Sequence, residues 1–355
     1  MEKQEAVKNI LTQKNADALL LTSEVNMHYF CGFSPSEGMV LLTANAGYHI
    51  VDSRYTETAE RHAEKTGLQV IEITTGFIDT ANELLKKHNI TSLLIENETI
   101  SLARYRSFGE KLQAGLLDLG DEIEKLRNVK TADELDKIET AQKIAEKAYT
   151  ELLNHIAPGK TEKELCALFD YLMAKYGSDG VSFDTILLSG PNTSMPHGVP
   201  SARKLQKGEF VLMDFGATFA GYHSDTTRTV CLGEPNDEMR RVYTAVLEAQ
   251  QAGIQALAPG AKCKDVYAAA YSVLESYGYA LYFRHSLGHG IGLQIHEGYN
   301  ASPKSADTFA PGNVTSIEPG VYLPGKFGVR TEDLLAVTET GKRNFTALPK
   351  ELVIL

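Results

Sequence analysis

The chain has 355 residues, more than one core usually holds, and its 43% hydrophobic content is that of a globular protein that buries its own interior. Lysine and arginine number 35 against 46 aspartates and glutamates, a formal net charge of -11 with the cations scattered, which argues against a nucleic-acid partner. No apolar run reaches membrane-spanning length, and the opening "MEKQEAVKNILTQKNADALLLTS" lacks the cationic start and apolar core of a signal peptide, so a cytosolic protein with no membrane partner is expected.

Up to about residue 125, short apolar runs ("ALLLT", "MVLLT", "YHIVD", "QVIEI", "SLLIE") alternate with helix-like stretches such as 78–89, the pattern of an α/β domain with a central sheet. The segment "EKLRNVKTADELDKIETAQKIAEKAYTELLNHIAPG" then predicts a long amphipathic helix, with Thr131 as N-cap, Glu134 completing a capping box, and Pro158-Gly159 closing it. A boundary follows near 122–130, giving domains 1–125 and 126–355. The four cysteines, Cys31, Cys166, Cys231 and Cys263, are far apart with no CxxC pair, which fits reduced thiols in the core rather than a zinc ribbon or a disulfide framework.

Beyond the boundary the chain repeats itself. "LLNHIAPGKTEKELCALFDYLMAKYG" (152–177) aligns with "GIQALAPGAKCKDVYAAAYSVLESYG" (253–278) at an offset of 101 residues. Further on, "KGEFVLMDFGA" (207–217) resembles "PGNVTSIEPGV" (311–321), pairing Asp214 with Glu318. Each half thus ends a strand on a carboxylate, turns, and offers a second one, Asp225 or Glu332. The second domain reads as a pseudo-two-fold duplication whose halves each bring a carboxylate pair to one central site. Four carboxylates converging in a sheet interior repel one another unless cations neutralise them. Any single one of them could be a solvated strand end; four at duplicated positions point to a metal centre.

The stretch "FRHSLGHGIGLQIHEG" holds His285, His289 and His296, three of ten histidines within twelve positions. A neutral imidazole among oxygen donors suits a pair of manganese, cobalt or zinc ions bridged by carboxylates. One histidine completes a five-ligand site and leaves the other two in reach of substrate; the competing reading is a glycine-rich loop with surface histidines. "GHGIG" does not satisfy the dinucleotide fingerprint, and "PGKT" at 158–161 fails as a phosphate loop because Asn154 stands where glycine is required. No Gly-x-Ser-x-Gly elbow is present, so no protein nucleophile is indicated.

Taken together, these blocks resemble the M24-type pita-bread metallopeptidases that cleave beside proline, the Xaa-Pro dipeptidase (prolidase) and aminopeptidase P family. The likeness runs over essentially the whole chain: "YFCGFSPSEG", "VDSRYTE", "LRNVKTADEL", "PHGVPS", "LMDFGATFAGYHSDTTRT", "HSLGHGIGLQIHEG", "SIEPGVY" and "GVRTED". It implies a creatinase-like N-terminal α/β domain followed by an α+β pita-bread catalytic domain with the internal repeat. It also implies that Asp214, Asp225, His289, Glu318 and Glu332 hold two divalent ions, manganese first with cobalt or zinc as alternatives, and that Asp225 and Glu332 bridge them. Glu318 is then the proton carrier beside a metal-bridged hydroxide, His296 and His285 are oxyanion donors, and His197, His285, His296 and Arg330 contact or orient substrate. The expected reaction is hydrolysis of the Xaa-Pro bond in dipeptides or at peptide N-termini, by a homodimer acting on proline-containing peptides. Thr331 stands where an aliphatic residue is usual and Tyr299 where proline is common, neither at a ligand position. The alternatives on the same fold are a metal-free creatinase-like hydrolase, a non-catalytic binding protein and a methionine aminopeptidase. The filled ligand set disfavours the first two, and the large N-terminal domain disfavours the third.

Overall fold

The computed structural model describes residues 2–355. The chain divides into two compact units, the first ending at Arg127 and the second running from Asn128 to Leu355.

The first unit is built on a six-stranded mixed sheet, in spatial order Gln69–Glu72, Gly47–Val51, Met39–Thr43, Ala18–Leu21, Ser92–Ile95 and Gly115–Asp118. The five apolar runs singled out in the sequence are the first five of these strands. Three are buried at every position, as unbroken apolar runs require when both faces are covered. The sixth, Gly115–Asp118, was not expected: four residues at the sheet edge, half of them charged or glycine, carry no alternation to read. Helices Phe77–Lys87 and Leu102–Lys111 flank the sheet and contribute Leu84, Leu85 and Phe108 to its core. Buried Glu96 accepts hydrogen bonds from the amides of Thr22 and Ser23 and from the side chains of Ser23 and Asn26, and Ser23 in turn caps the helix Glu24–Cys31 by accepting the amide of Asn26.

In the second unit the predicted capping box at Thr131 and Glu134 opens the helix Ala132–Leu152. The helix stops at Leu152 and tightens into a 3₁₀ turn, Leu153–His155, instead of running to Pro158. Asn154 and His155 are weak helix formers, and residues leading into a proline are pushed toward extended conformations. The duplication is explicit in the elements: helices Glu162–Lys175 and Cys263–Ser276 are each 14 residues long, each preceded by a longer helix, Ala132–Leu152 or Asp237–Ala256. Two antiparallel strand pairs repeat likewise. Glu209–Phe215 pairs with Thr226–Leu232, placing Phe215 opposite Thr226, and Val314–Ile317 pairs with Asp333–Thr338, placing Ile317 opposite Asp333. Asp225 and Glu332 therefore stand immediately before the returning strands, Asp214 near the end of the first outgoing strand and Glu318 just past the second.

Two apolar cores support this arrangement. One packs Phe169, Phe215 and Tyr149 behind Asp214, and the other gathers Val246, Leu274, Ile317 and Leu335 behind Glu318 and Glu332. Arg228, 2% exposed, ties the returning strands together. Its guanidinium donates to the carbonyls of Thr227, Glu332, Leu348 and Pro349 and pairs with Asp333 at 2.9 Å. Asp333 also accepts from Asn344 and from Lys350, both at 2.6 Å. All four cysteines are free thiols, three of them buried. Among the described residues no helix is long and apolar enough to cross a membrane.

Candidate metal centre

The strand pairs bring Asp225, His289 and Glu332 together with one ligand atom of each within 4.8 Å of the others. All three are buried, at 5%, 6% and 1% exposure. Glu318 joins them, its Oε1 3.4 Å from His289 Nε2, while Asp225 Oδ2 is 3.5 Å from the same nitrogen. Asp214 and Glu318 both face Arg330: Nη2 reaches Asp214 Oδ2 at 2.5 Å, and Nε is 4.0 Å from Glu318 Oε2. The five residues predicted as ligands thus lie in one neighbourhood, Asp225, His289 and Glu332 buried within ligand distance of one another and Glu318 and Asp214 half-buried beside them.

Hydroxyls from the buried strands set these side chains in place. Thr227 donates to Glu332 Oε2 at 2.8 Å and accepts from Arg330 Nε at 2.9 Å. Ser316 reaches Glu318 Oε1 at 3.3 Å and accepts the amide of His289 at 3.1 Å. Sequence reading missed both; the only signal was polar residues inside fully buried strands, "TTRT" and "VTSI". Arg330 also donates to the Tyr322 hydroxyl at 2.7 Å, which in turn lies 3.0 Å from His285 Nε2.

The charge state of the pocket asks for cations. His289 Nδ1 lies 3.2 Å from the carbonyl of Gly290, which can only accept, so Nδ1 carries the proton and Nε2 presents a lone pair to the carboxylates of Asp225 and Glu318. Burial, reinforced by neighbouring His296, lowers the His289 pKa to about 3, so the ring is neutral. Two carboxylate oxygens facing a lone pair at 3.4–3.5 Å are stable only with a proton or a metal ion between them. The carboxylates respond accordingly. Burial and the charge of Asp214, partly offset by Arg330, push Glu318 up to about 8. Burial and the neighbouring acids also raise Asp225 and Glu332 well above the usual range. Asp214 Oδ1 and Glu332 Oε1 are buried without a hydrogen-bond partner. Unsatisfied anionic oxygens, a mutually repelling acid set and an imidazole lone pair fit a divalent-cation site of hard oxygen donors with one nitrogen.

The remaining predicted residues sit around this pocket. The ring of His296 meets that of His289 edge-on, with centroids 4.2 Å apart. Burial and the charge of His197 lower the His296 pKa, against an opposing pull from Asp214. His285 has both nitrogens engaged: Nδ1 with the carbonyl of Ser286 at 2.8 Å, Nε2 with Tyr322. His197 is exposed on the loop after Ser194, whose Pro196 carbonyl accepts from Arg330 at 3.4 Å. Tyr299, at the position where proline is common, is 8% exposed and donates to the carbonyl of Val314 at 2.9 Å, so it serves the second core.

Fold and site together define a metal-dependent hydrolase on an internally duplicated scaffold. Residues 136–339 match the model of metallopeptidase family M24, and residues 3–129 match the creatinase/prolidase N-terminal domain. The chain is 36% identical to an Xaa-Pro dipeptidase of Pyrococcus furiosus, over 99% of both sequences. Among solved structures, an Xaa-Pro dipeptidase of Bacillus anthracis superposes with a TM-score of 0.96 at 36% identity, covering 100% of this chain and 99% of that one. An X-Pro aminopeptidase of Thermotoga maritima gives 0.93 at 35% identity, covering 98% and 100%. The chain belongs to metallopeptidase family M24 and has the pita-bread catalytic fold behind a creatinase-type N-terminal domain. It is therefore a metallopeptidase.

Proposed function

We propose that this enzyme hydrolyses the Xaa-Pro bond, with residues up to about 125 forming a substrate-delimiting domain and residues 126–355 the catalytic one. The observation that carries the reading is the His289 lone pair facing Asp225 and Glu318 within a set of four carboxylates, two of them buried and two half-buried. Asp214, Asp225, His289, Glu318 and Glu332 would hold two divalent ions, manganese first. The chemistry such ions supply when bound is Lewis-acid polarisation of the scissile carbonyl and a lowered pKa for the attacking water.

The chain's own residues do the rest. Glu318, held by Ser316 and mostly buried, takes the proton from the attacking water and hands it to the departing proline nitrogen. His296, beside the pocket and without the constraints that hold His285, donates to the developing oxyanion. His285 is fixed by Tyr322 and Ser286 and shapes the pocket wall, while Arg330 offsets the charge of Asp214 and orients Glu318. His197 lines the substrate side of the pocket. A proline nitrogen in a peptide bond carries no N–H, so the proline ring is selected by shape and apolar contact. The enzyme is read as a cytosolic homodimer.

Exhaustive chelation followed by addition of manganese or cobalt tests the reading on an Xaa-Pro dipeptide and an Xaa-Pro-Yaa tripeptide. Loss and return of turnover is expected. Full activity in a verified metal-free sample overturns it, and the ratio of the two rates separates dipeptidase from aminopeptidase action.

A further inference from the structure

Lys130 is neither a ligand nor a pocket residue, yet its ammonium lies 2.7 Å from Glu297 Oε1 with both side chains only 1% exposed. Glu297 directly follows His296. The loop from Gly288 to Gly298 is wound around its carboxylate. The amide of Glu297 donates to the Gly290 carbonyl at 3.0 Å, Gly292 donates to the Gln294 carbonyl at 3.0 Å, and Gln294 N reaches Glu297 Oε2 at 3.3 Å. A Cβ at Gly292 would stand 2.0 Å from Glu297 Oε1 and 2.9 Å from Lys130 Cε, and one at Gly290 would stand 2.1 Å from the Glu297 carbonyl oxygen. Backbone and ion pair are thus in direct contact along the segment that carries both His289 and His296. Lys130 is itself fixed, its amide donating to the Gly312 carbonyl at 2.9 Å just before the Thr131 cap.

Burying two charges costs several kcal/mol per ion, and an apolar pair of similar volume often serves stability equally well or better. What an apolar pair cannot supply is a fixed point of charge around which a glycine-rich loop takes one conformation. Here that conformation sets the imidazoles of His289 and His296 edge-on, at an interplanar angle of 70°.

We propose that Lys130 is a positioning residue of this peptidase: acting through Glu297, it fixes the 288–298 loop so that His296 is presented to substrate. The role assigned to His296 rests on the Xaa-Pro reading above.

The test compares wild type, Lys130→Met and the apolar double variant Lys130→Met/Glu297→Leu. For each, kcat and KM on an Xaa-Pro dipeptide, metal per chain by elemental analysis, and Tm are measured. Lys130→Met is expected to lower kcat about 10–100-fold, the usual effect of losing a partner that orients a site group, with metal content at the wild-type level. The double variant should recover Tm but not kcat; joint recovery of Tm and kcat overturns the proposal. If Lys130→Met does not fold, the double variant carries the comparison. A second readout needs no turnover. In metal-free protein with ¹³C-labelled histidine, the His296 ring signal, assigned by its loss in His296→Ala, should move in the double variant. An unmoved signal overturns the proposal. A wild-type enzyme inactive on Xaa-Pro peptides, but with a His296 signal that depends on Lys130, refutes the substrate reading and leaves the positioning standing.

Discussion

The unprotonated Nε2 of His289 and the Oε1 of Glu318 stand 3.4 Å apart inside the protein, a pairing that needs a positive charge between them. Without metal, that charge is a proton. The lowered acidities of Glu318, Asp225 and Glu332, which hold their protons to higher pH than free carboxyls, are the same statement in thermodynamic form.

Metal binding near neutral pH should therefore expel protons. With Glu318 at about 8, most metal-free molecules at pH 7 carry a proton there that a divalent ion displaces. Calorimetric titration with manganese in buffers of different ionisation enthalpy should show a net release of about one proton or more per chain. A buffer-independent heat contradicts it.

Stability of the metal-free protein should fall as pH rises. Glu318 binds its proton more tightly folded than unfolded, where its value is near 4.5, so the stabilisation is complete below that value and is lost as pH climbs through about 8. Asp225 and Glu332, raised in the same direction, deepen the loss. Thermal melts of chelated protein between pH 5 and pH 9 should show a declining Tm, and saturating metal should flatten the slope. A metal-free Tm that rises across this range counts against the buried acid set.

Glu318→Gln keeps the shape and removes the basicity. Turnover on an Xaa-Pro peptide should drop on the order of 10²–10⁴-fold from loss of the proton carrier, more where metal occupancy also falls. The metal-free variant should melt no lower than wild type near neutral pH, since glutamine, like the protonated Glu318 it replaces, carries no charge. Near-normal turnover with metal content unchanged would remove Glu318 from the chemistry.

Arg228→Leu should be among the most costly single changes in the second unit. It strips hydrogen bonds from four backbone carbonyls and leaves Asp333 with Asn344 and Lys350 alone. Breaking a buried pair by removing one partner costs about 3–5 kcal/mol. Denaturant unfolding read against wild type checks this, and a loss below about 1 kcal/mol would show that the network contributes little.

The carboxylate geometry was legible in the sequence because a duplication writes its positions twice. Asp214 and Glu318 align, and each is followed by a second acid after a glycine-bearing turn. The strands of the first unit were legible as short, mostly apolar runs, apart from the edge strand Gly115–Asp118. What stayed hidden were partners chosen by tertiary approach: Thr227 under Glu332, Ser316 against the amide of His289, Lys130 against Glu297. Their sequence separations, 105 residues in the first case and 167 in the last, leave no periodicity for a linear reading to detect.

The duplicated strand pairs also fix when the centre can come into being. Asp214 and Asp225 leave the ribosome long before Glu318 and Glu332, so for the whole interval the nascent chain holds two of the four carboxylates and no imidazole from residue 289. Translation must pass residue 332, and the second strand pair must close on the first, before a peptide bond is at risk. On this reading the peptidase is silent until translation has carried Glu332 clear of the ribosome.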